Sequence, residues 1–267
     1  MSFAELIKNK TVLAPGVFDP LSALMAYRAG FNVLYLSGAS ISYTYLGLPD
    51  LSFTNLSDVE NVLRRIKARV DAYVICDADN GYGNEDNVAH TIKVLEKSGA
   101  SAIQLEDQDS PKKCGHLPGK EIIPTEEMIL KLRAALKARD KALIIARTDS
   151  LTVNGIDDAI QRANSYIEEG ADIAFVESPR TKEEIERISK EVHGPKLINM
   201  VEGGITPIIE LKDLIRMKFN IVIYPGSAVR AISFALMQLY SNMMKDGTTK
   251  AFSDRMFTFS ELQRILR

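Results

Sequence analysis

One cysteine in this chain is surrounded by groups that could assist proton transfer. Cys114 follows Lys112 and Lys113 and is followed by Gly115 and His116. Nearby cations favour a thiolate and lower the pKa of the thiol, and a glycine lets the backbone move or approach a ligand closely. The segment therefore predicts a catalytic acid or base on a mobile loop, with Lys112, Cys114 and His116 as its reactive groups.

Three acidic side chains form a second candidate group. Asp77 and Asp79 follow one apolar run, and Glu106 follows the next one along the chain. Because residues two apart on an extended segment point the same way, we expect both aspartates to face one spot, with Glu106 close by. Clustered carboxylates repel one another unless a cation joins them, and an all-oxygen site with few protein ligands suits Mg²⁺. The sequence thus predicts a Mg²⁺ site at these three residues, with Mn²⁺ as the substitute and loop-capping aspartates as the alternative.

Other polar groups are suited to binding carboxylates. Arg147 offers a rigid fork of donors, the turn at residues 37–40 (Ser-Gly-Ala-Ser) offers backbone N–H groups, and Asn199 offers an amide. Together with a divalent ion, they indicate a small polyanionic substrate. For Arg147 the alternative is a structural ion pair with Asp149 or Glu177.

The chain alternates between short apolar runs, which we predict to be strands, and segments with helical periodicity. The candidate residues follow the strands. Ser57, Thr125 and Thr181 are predicted to begin three of the helices as caps. The predicted strands are 12–14, 33–36, 73–76, 102–105, 142–146, 173–176, 196–198 and 221–224. The predicted helices include 58–70, 87–98, 126–139, 157–169, 182–191, 228–244 and 256–266.

The alternation of strands and helices predicts an α/β fold with a parallel sheet. Eight units at this length match a (β/α)₈ barrel of the TIM type. An open doubly wound sheet is the competitor, but residues 14–18 lack the glycine fingerprint that usually follows its first strand. In a barrel the candidate residues all lie at the carboxyl ends of the strands, where such enzymes have their active sites.

The composition is that of an ordinary globular protein of 267 residues, 46% hydrophobic and 25% charged, for which we predict one barrel domain over residues 1–267. A net charge of −2 gives no electrostatic case for nucleic acid or a membrane surface. No apolar run approaches the roughly 20 residues that span a bilayer, and no signal peptide is evident. We therefore expect a cytoplasmic protein in which Cys76 and Cys114 are free thiols.

Seven short sequence motifs resemble those of the isocitrate lyase/phosphoenolpyruvate mutase superfamily. They are 35–38, 47–50, 77–79, 106–108, 112–116, 146–149 and 199–202, which read YLSG, GLPD, DAD, EDQ, KKCGH, ARTD and NMVE. The chain is most similar to the methylisocitrate-lyase-like branch, and also resembles 2,3-dimethylmalate lyase, over roughly residues 14–230. The KKCGH segment is the specific part, because the carbon–carbon lyases have it and phosphonomutases have other residues there.

The resemblance implies roles for individual residues. Asp79 is implied as the main Mg²⁺ anchor, with Asp77 and Glu106 acting through bound waters. Cys114 is implied as the catalytic acid, and Tyr35 is a candidate base, with a metal-bound hydroxide as the alternative. Lys112 and His116 are implied as further groups that bind carboxylates. The substrate contacts implied are Ser37, Gly38, Ala39, Asp50, Gly115, Arg147, Glu177 and Asn199.

The implied activity is Mg²⁺-dependent cleavage of a carbon–carbon bond in a 2-hydroxy di- or tricarboxylate, under a lid of residues 108–120 that excludes water. The leading reaction converts 2-methylisocitrate to pyruvate and succinate. The alternatives are 2,3-dimethylmalate cleavage, oxaloacetate hydrolysis, a phosphonopyruvate or carboxyphosphonate mutase and a barrel that only binds a ligand. Val176 and Val201 stand where methylisocitrate lyases tend to have a Pro and a Thr. The loss of the Thr hydroxyl group at position 201 removes a possible donor and suggests a substrate with one carboxylate fewer.

The resemblance also implies a homotetramer built from two dimers that exchange their last helix. Residues 226–267 are then expected to pack on a partner subunit. Their many apolar side chains agree with this, although packing on their own barrel is the alternative.

Overall fold

Eight parallel strands form a closed barrel in the computed structural model, which describes residues 1–267. Each strand pairs with its neighbours in the sequence, and the last strand pairs with the first. The strands are β1 (Val12–Val17), β2 (Val33–Leu36), β3 (Tyr73–Asp77), β4 (Ala102–Glu106), β5 (Leu143–Thr148), β6 (Ile173–Val176), β7 (Lys196–Asn199) and β8 (Ile221–Tyr224). The predicted (β/α)₈ barrel is confirmed.

Eleven α-helices accompany the strands. They are α1 (Phe3–Asn9), α2 (Pro20–Arg28), α3 (Gly38–Ile41), α4 (Leu56–Lys67), α5 (Glu85–Lys97), α6 (Thr125–Ala138), α7 (Ile156–Glu169), α8 (Lys182–Glu191), α9 (Leu211–Arg216), α10 (Ser227–Asp246) and α11 (Phe259–Leu266). A π-helical turn (Ser42–Leu46) and 3₁₀ turns (Ser150–Thr152 and Lys250–Arg255) complete the regular structure. None of these helices combines the length and the apolarity that crossing a membrane requires.

Two of the three predicted helix caps are wrong. Asn55, not Ser57, begins α4: its side chain accepts the N–H groups of Ser57 and Asp58, and Asp58 accepts the N–H of Asn55 in return. Asn55 is extended, and this lets its side chain reach the first turn, as a cap requires. Thr125 is the first helical residue of α6, while Thr181 caps α8 as predicted.

The barrel interior is packed with side chains below the carboxyl ends of the strands. Helix α1 closes the amino end, where Phe3 and Ile7 are buried and the Phe3 ring lies 5.3 Å from that of Tyr73. The inward-facing apolar residues include Ala14, Val33, Ile75, Ala102, Ile145, Ile173, Phe175, Leu197, Ile221 and Ile223. Only the carboxyl end therefore leaves room for a ligand in the barrel axis.

The two C-terminal helices carry apolar side chains that the chain itself does not cover. Val229 is the one buried residue of α10, and α11 has none. The exposed apolar side chains of this region are Ile232, Phe234, Leu236, Met237, Tyr240, Met243, Met244, Met256, Phe257, Phe259 and Leu266. A continuous exposed apolar surface of this kind is typical of an interface.

Candidate active site

The predicted site residues meet at the carboxyl end of the barrel. They surround a cavity of about 130 Å³ that all of them line except Gly38 and Asp79. Tyr43, Pro225, Gly226 and Arg230 line it as well. Asp79 lines a neighbouring cavity, and Lys112 lines both. A larger groove of about 680 Å³ lies beside Phe3 and Tyr73 at the amino end, but it contains none of the predicted residues. The chemistry of the chain therefore belongs to the smaller cavity.

The two aspartates converge, but not for the reason predicted. Strand β3 ends at Asp77, and Asp79 has a left-handed backbone with φ of 47° rather than an extended one. The chain turns there, and both carboxylates come to face Gly38. A Cβ at Gly38 would lie 3.3 Å from Asp77 Oδ2 and 3.4 Å from Asp79 Oδ1. Glycine at position 38 thus leaves space beside both carboxylates.

Lys112 reaches from the lid into this acidic group. Its Nζ lies 2.6 Å from Asp50 Oδ1 and 2.8 Å from Asp79 Oδ1, and all three side chains are buried. Burial raises the pKa of Asp79 to about 6, although Lys112 opposes the shift. Burial would lower the pKa of Lys112, but Asp79 and Asp50 hold it well above its ordinary value. Lys112 therefore stays an ammonium that ties the lid to the acids.

The acidic group fits a hydrated divalent cation. Glu106 Oε1 is buried without a hydrogen-bond donor, and burial raises the pKa of Glu106 well above its ordinary value. Asp79 Oδ1 also lacks a donor in hydrogen-bond geometry, despite its ion pair with Lys112. No three His, Cys, Asp or Glu side chains converge closely enough to coordinate an ion directly. The unpartnered oxygens of Asp79 and Glu106 suit Mg²⁺, which keeps most of its waters and takes one or two carboxylates.

Arg147 is engaged in ion pairs beneath the cavity. Its Nε and Nη2 donate to Asp149 Oδ2 and Oδ1 at 2.8 and 3.0 Å, and its Nη1 lies 3.3 Å from Glu106 Oε2 and 3.5 Å from Glu177 Oε2. Burial would raise the pKa of Asp149, but Arg147 and Lys120 hold it at about 2. The alternative interpretation of Arg147, a structural ion pair, is confirmed. The side chain still lines the cavity.

Replacing Asp149 should destabilise the fold. Asp149→Asn leaves Lys120 buried without its counter-charge and weakens the ion pairing of Arg147, and breaking a buried pair costs about 3–5 kcal/mol in the free energy of unfolding. The pKa of about 2 lies below the roughly 3.9 of an unfolded aspartate. The stabilisation is therefore complete above about pH 4 and is lost as the pH falls towards 2.

Denaturant unfolding of the wild type and of Asp149→Asn at pH 7 and pH 3 measures this loss of stability. The control is Asp157→Asn, which removes a highly exposed partner of Arg187 and should change little. A loss below about 1 kcal/mol for Asp149→Asn, within the range of exposed pairs, would contradict the buried network.

The thiol of Cys114 is protonated rather than activated. Burial raises its pKa above 9.0, although the backbone N–H of His116 opposes the shift. The two neighbouring lysines do not reverse it, because Lys112 pairs with acids and Lys113 Nζ donates to the Gly119 carbonyl at 2.6 Å. The predicted lowering of the Cys114 pKa is therefore wrong. A protonated thiol at neutral pH is what a catalytic acid needs.

The alkylation rate of Cys114 should report this raised pKa. Because the thiolate is the nucleophile, the rate with iodoacetamide should rise about tenfold per pH unit and continue rising beyond pH 9. Peptide mass spectrometry measures it, and Cys76, which is fully buried, serves as the internal unreactive thiol. A plateau below pH 8 would show that the cations lower the pKa after all.

His116 and Tyr35 are both neutral hydrogen-bonding groups. His116 Nδ1 accepts the N–H of Ile205 at 3.2 Å, which places its proton on Nε2, 3.6 Å from Glu177 Oε1. Burial lowers the pKa of His116, although Glu177 opposes the shift. Tyr35 donates its hydroxyl proton to Gln104 Oε1 at 2.9 Å, and burial raises its pKa well above 10.0. A tyrosine that keeps its proton is a poor base, so these contacts argue against the base role predicted for Tyr35.

Glu177 and Asn199 form the wall opposite the aspartates. Asn199 Nδ2 donates to Glu177 Oε2 at 3.1 Å, and Asn199 Oδ1 is buried without a partner. Ser37 accepts the N–H of Ser40 and so begins α3 beside the cavity, while the Gly38 N–H is directed at Asp77 Oδ2. Asn199 Oδ1 is thus a free acceptor for a substrate hydroxyl group.

Sequence patterns did not reveal three polar residues that support the site. Gln104 links Tyr35 to Asp77, Lys120 pairs with Asp149, and Ser178 donates to the Gly115 carbonyl. Lys120 and Ser178 stand in loops, where such residues are normally solvated. The one available signal was Gln104, a polar residue within an otherwise apolar strand.

A barrel with buried acids, an arginine and a protonated thiol at its carboxyl end defines an enzyme that acts on small anions. The family model described as phosphoenolpyruvate phosphomutase matches residues 3–244. A 2,3-dimethylmalate lyase of Eubacterium barkeri is 41% identical over 98% of this chain and 91% of its own. A 2-methylisocitrate lyase of Aeropyrum pernix is 43% identical over 98% of this chain and 85% of its own. The chain belongs to the phosphoenolpyruvate mutase/isocitrate lyase superfamily, as an enzyme of its lyase branch.

Solved structures agree with this assignment. Oxaloacetate acetylhydrolase in complex with 3,3-difluorooxalacetate superposes with a TM-score of 0.94 at 31% identity, over 99% of this chain and 92% of its own. A phosphonopyruvate hydrolase in complex with oxalate and Mg²⁺ has a TM-score of 0.89 at 28% identity, over 99% of this chain and 95% of its own. A member of the superfamily therefore binds a divalent metal together with a small dicarboxylate.

Proposed function

We propose that this chain is a Mg²⁺-dependent lyase that cleaves the C2–C3 bond of a 2-hydroxy acid to give pyruvate and a second carboxylic acid. The observation that carries the proposal is that one small cavity is lined both by a protonated thiol, Cys114, and by the buried carboxylates of Asp77 and Glu106. Carbon–carbon cleavage needs an acid that retains its proton until a carbanion forms. Asp79 is the proposed metal anchor, with Asp77 and Glu106 acting through waters.

The chain's own residues account for the steps. As the 2-hydroxyl group gives its proton to a base from solvent, water or hydroxide, and becomes the carbonyl of pyruvate, the C2–C3 electron pair moves to C3. Cys114 then gives its S–H proton to C3 and is left as a thiolate. Asn199 Oδ1 orients the hydroxyl group, and the lid excludes water that would quench the carbanion. Bound Mg²⁺ supplies the positive charge that stabilises the oxygens of the substrate.

The charges that line the cavity favour a dicarboxylate over a tricarboxylate. Lys112 and Arg147 are neutralised by buried acids, and Arg230 pairs with Glu202 at 3.3 Å. Lys113 is the cation of the lining that has no acidic partner, and its Nζ donates to the Gly119 carbonyl. It can bind one further carboxylate, whereas the apolar Val201 in the lining offers no donor for a third. We therefore place 2,3-dimethylmalate, which yields pyruvate and propanoate, ahead of 2-methylisocitrate.

A substrate panel tests the proposal. The purified protein with Mg²⁺ is incubated with 2,3-dimethylmalate, 2-methylisocitrate, oxaloacetate and phosphonopyruvate, and the products are identified by mass spectrometry. Pyruvate with an equal amount of propanoate or succinate supports a lyase. Oxalate and acetate from oxaloacetate would instead support the second candidate, a hydrolase, which the similarity to oxaloacetate acetylhydrolase favours. Turnover of phosphonopyruvate alone would overturn both.

We further propose that the chain forms a homotetramer of dimers whose C-terminal helices are exchanged. The support is the uncovered apolar surface of α10, where Phe234 and Met237 are 66% and 69% exposed. Light scattering should give four times the chain mass. Phe234→Asp with Met237→Asp should yield smaller species, and an unchanged mass would contradict this role of α10.

A further inference from the structure

The carbonyl group next to the catalytic thiol is held from two sides. Lys120 Nζ donates to the Gly115 oxygen at 2.5 Å, and Ser178 Oγ lies 3.0 Å from the same oxygen. Lys120 Nζ also donates to Asp149 Oδ1 at 2.9 Å. A lysine at the end of the lid thus joins the lid's central turn to the ion pairs under the cavity.

The backbone at Gly115 sits directly on those ion pairs. A Cβ added there would lie 2.6 Å from Arg147 Nη2 and 2.6 Å from Glu177 Cγ. The lid backbone at Gly115 is therefore packed against the side chains of Arg147 and Glu177, with no room for a larger residue. Gly115 follows Cys114 in the chain, so that any shift of the Gly115 carbonyl also shifts the thiol.

Lys120 is the second cation on Asp149. Arg147 already makes two hydrogen bonds to that carboxylate. The Lys120 side chain is only 2% exposed, and burying an ammonium is costly unless its contacts compensate. Its bond to Gly115 links the lid to Asp149 after β5, which explains a buried lysine at this position.

We propose that Lys120 is a positioning residue that holds the Gly115 carbonyl, and through it the Cys114 thiol, in place over the cavity. The ammonium bridges the lid to Asp149, and Ser178 supports the same carbonyl from the loop after β6. Because a thiol misplaced by about 1 Å can slow a reaction about 100-fold, losing the bridge should affect proton transfer more than substrate binding.

Lys120→Met tests the proposal, since methionine keeps the length and removes the charge. Lys196→Met is the matched control: Lys196 is also buried and donates only to carbonyls, of Val192 and Gly194, at the amino end of β7. In the substrate-free protein, iodoacetamide should modify Cys114 about tenfold faster in Lys120→Met than in Lys196→Met, because the lid opens more often.

The second measurement is turnover. In Lys120→Met, kcat should fall about 100-fold while KM changes less than about fivefold. In Lys120→Arg, both the alkylation rate of Cys114 and kcat should lie between those of Lys120→Met and the wild type.

The two measurements separate this inference from the proposed function on which its kinetic part rests. The alkylation rate needs neither substrate nor metal, so it decides the role of Lys120 even if the panel finds no lyase activity. Equal alkylation rates in Lys120→Met and Lys196→Met would overturn the proposal. If Lys120→Met does not fold, Lys120→Gln decides: it keeps a shorter uncharged donor, and a Cys114 alkylation rate equal to that of Lys196→Gln would overturn the proposal.

Discussion

Replacing Cys114 by serine should lower kcat about 10³-fold, within the range that a positioned general acid contributes. A serine hydroxyl group is a much weaker acid than a thiol, and it cannot deliver a proton to C3 at a useful rate. The geometry of the lid should persist, because Lys112, Gly115 and Lys120 make the contacts that hold it. Steady-state kinetics on the substrate found by the panel gives the measurement.

Two controls accompany the Cys114→Ser variant. Cys76→Ser removes the other thiol, which is fully buried in the core, so any effect on turnover must come through stability. Mn²⁺ affinity, measured by calorimetry, should be the same in Cys114→Ser and the wild type. Turnover within tenfold of the wild type would remove the thiol from the mechanism.

Replacing Asp79 by asparagine should abolish both metal binding and turnover. Removing even an outer-shell partner of a metal weakens binding about 10–100-fold, so the loss of the proposed anchor should weaken Mn²⁺ binding at least about 100-fold. Burial and the neighbouring Asp77 already disfavour the charged form of Asp79, and a bound cation offsets both. Calorimetry with Mn²⁺ checks the affinity, and an assay in EDTA followed by added Mg²⁺ checks that the loss is reversible.

Asp172→Asn provides the comparison for Asp79→Asn. Asp172 is partly exposed, pairs with Arg139 and lies at the amino end of β6, so its replacement should leave Mn²⁺ affinity and turnover intact. Full activity of the wild type in EDTA, or unchanged Mn²⁺ affinity in Asp79→Asn, would contradict the metal site.

The barrel could be predicted because its pattern is local. Buried parallel strands appear as continuous apolar runs, and every predicted run overlaps an observed strand. The ends of the helices were harder to predict. Asn55 and Ser57 are both good capping residues, and only the extended backbone at Asn55 makes it the cap of α4. The exchange of the C-terminal helices stays a prediction, because a single chain cannot show what covers α10.

The site was predicted by residue type but not by charge state. Its members follow strands, and a barrel brings strand ends together, so the locations of Cys114 and Asp77 could be inferred. The pKa of Cys114 could not, because it depends on where the ammonium groups of Lys112 and Lys113 end up. The same holds for Arg147, for which the sequence left a substrate contact and an ion pair open. The structure shows the ion pair with Asp149, and the substrate contact stays a prediction.

The most direct test of the central claim, carbon–carbon cleavage followed by protonation of C3, is mass spectrometry of the products formed in D₂O. The wild-type protein with Mg²⁺ and 2,3-dimethylmalate or 2-methylisocitrate should give pyruvate and an equal amount of propanoate or succinate. The second acid should carry one deuterium at the former C3, because the thiol proton exchanges with solvent before each turnover. Absence of pyruvate from both substrates, with oxaloacetate converted to oxalate and acetate, would contradict the lyase assignment.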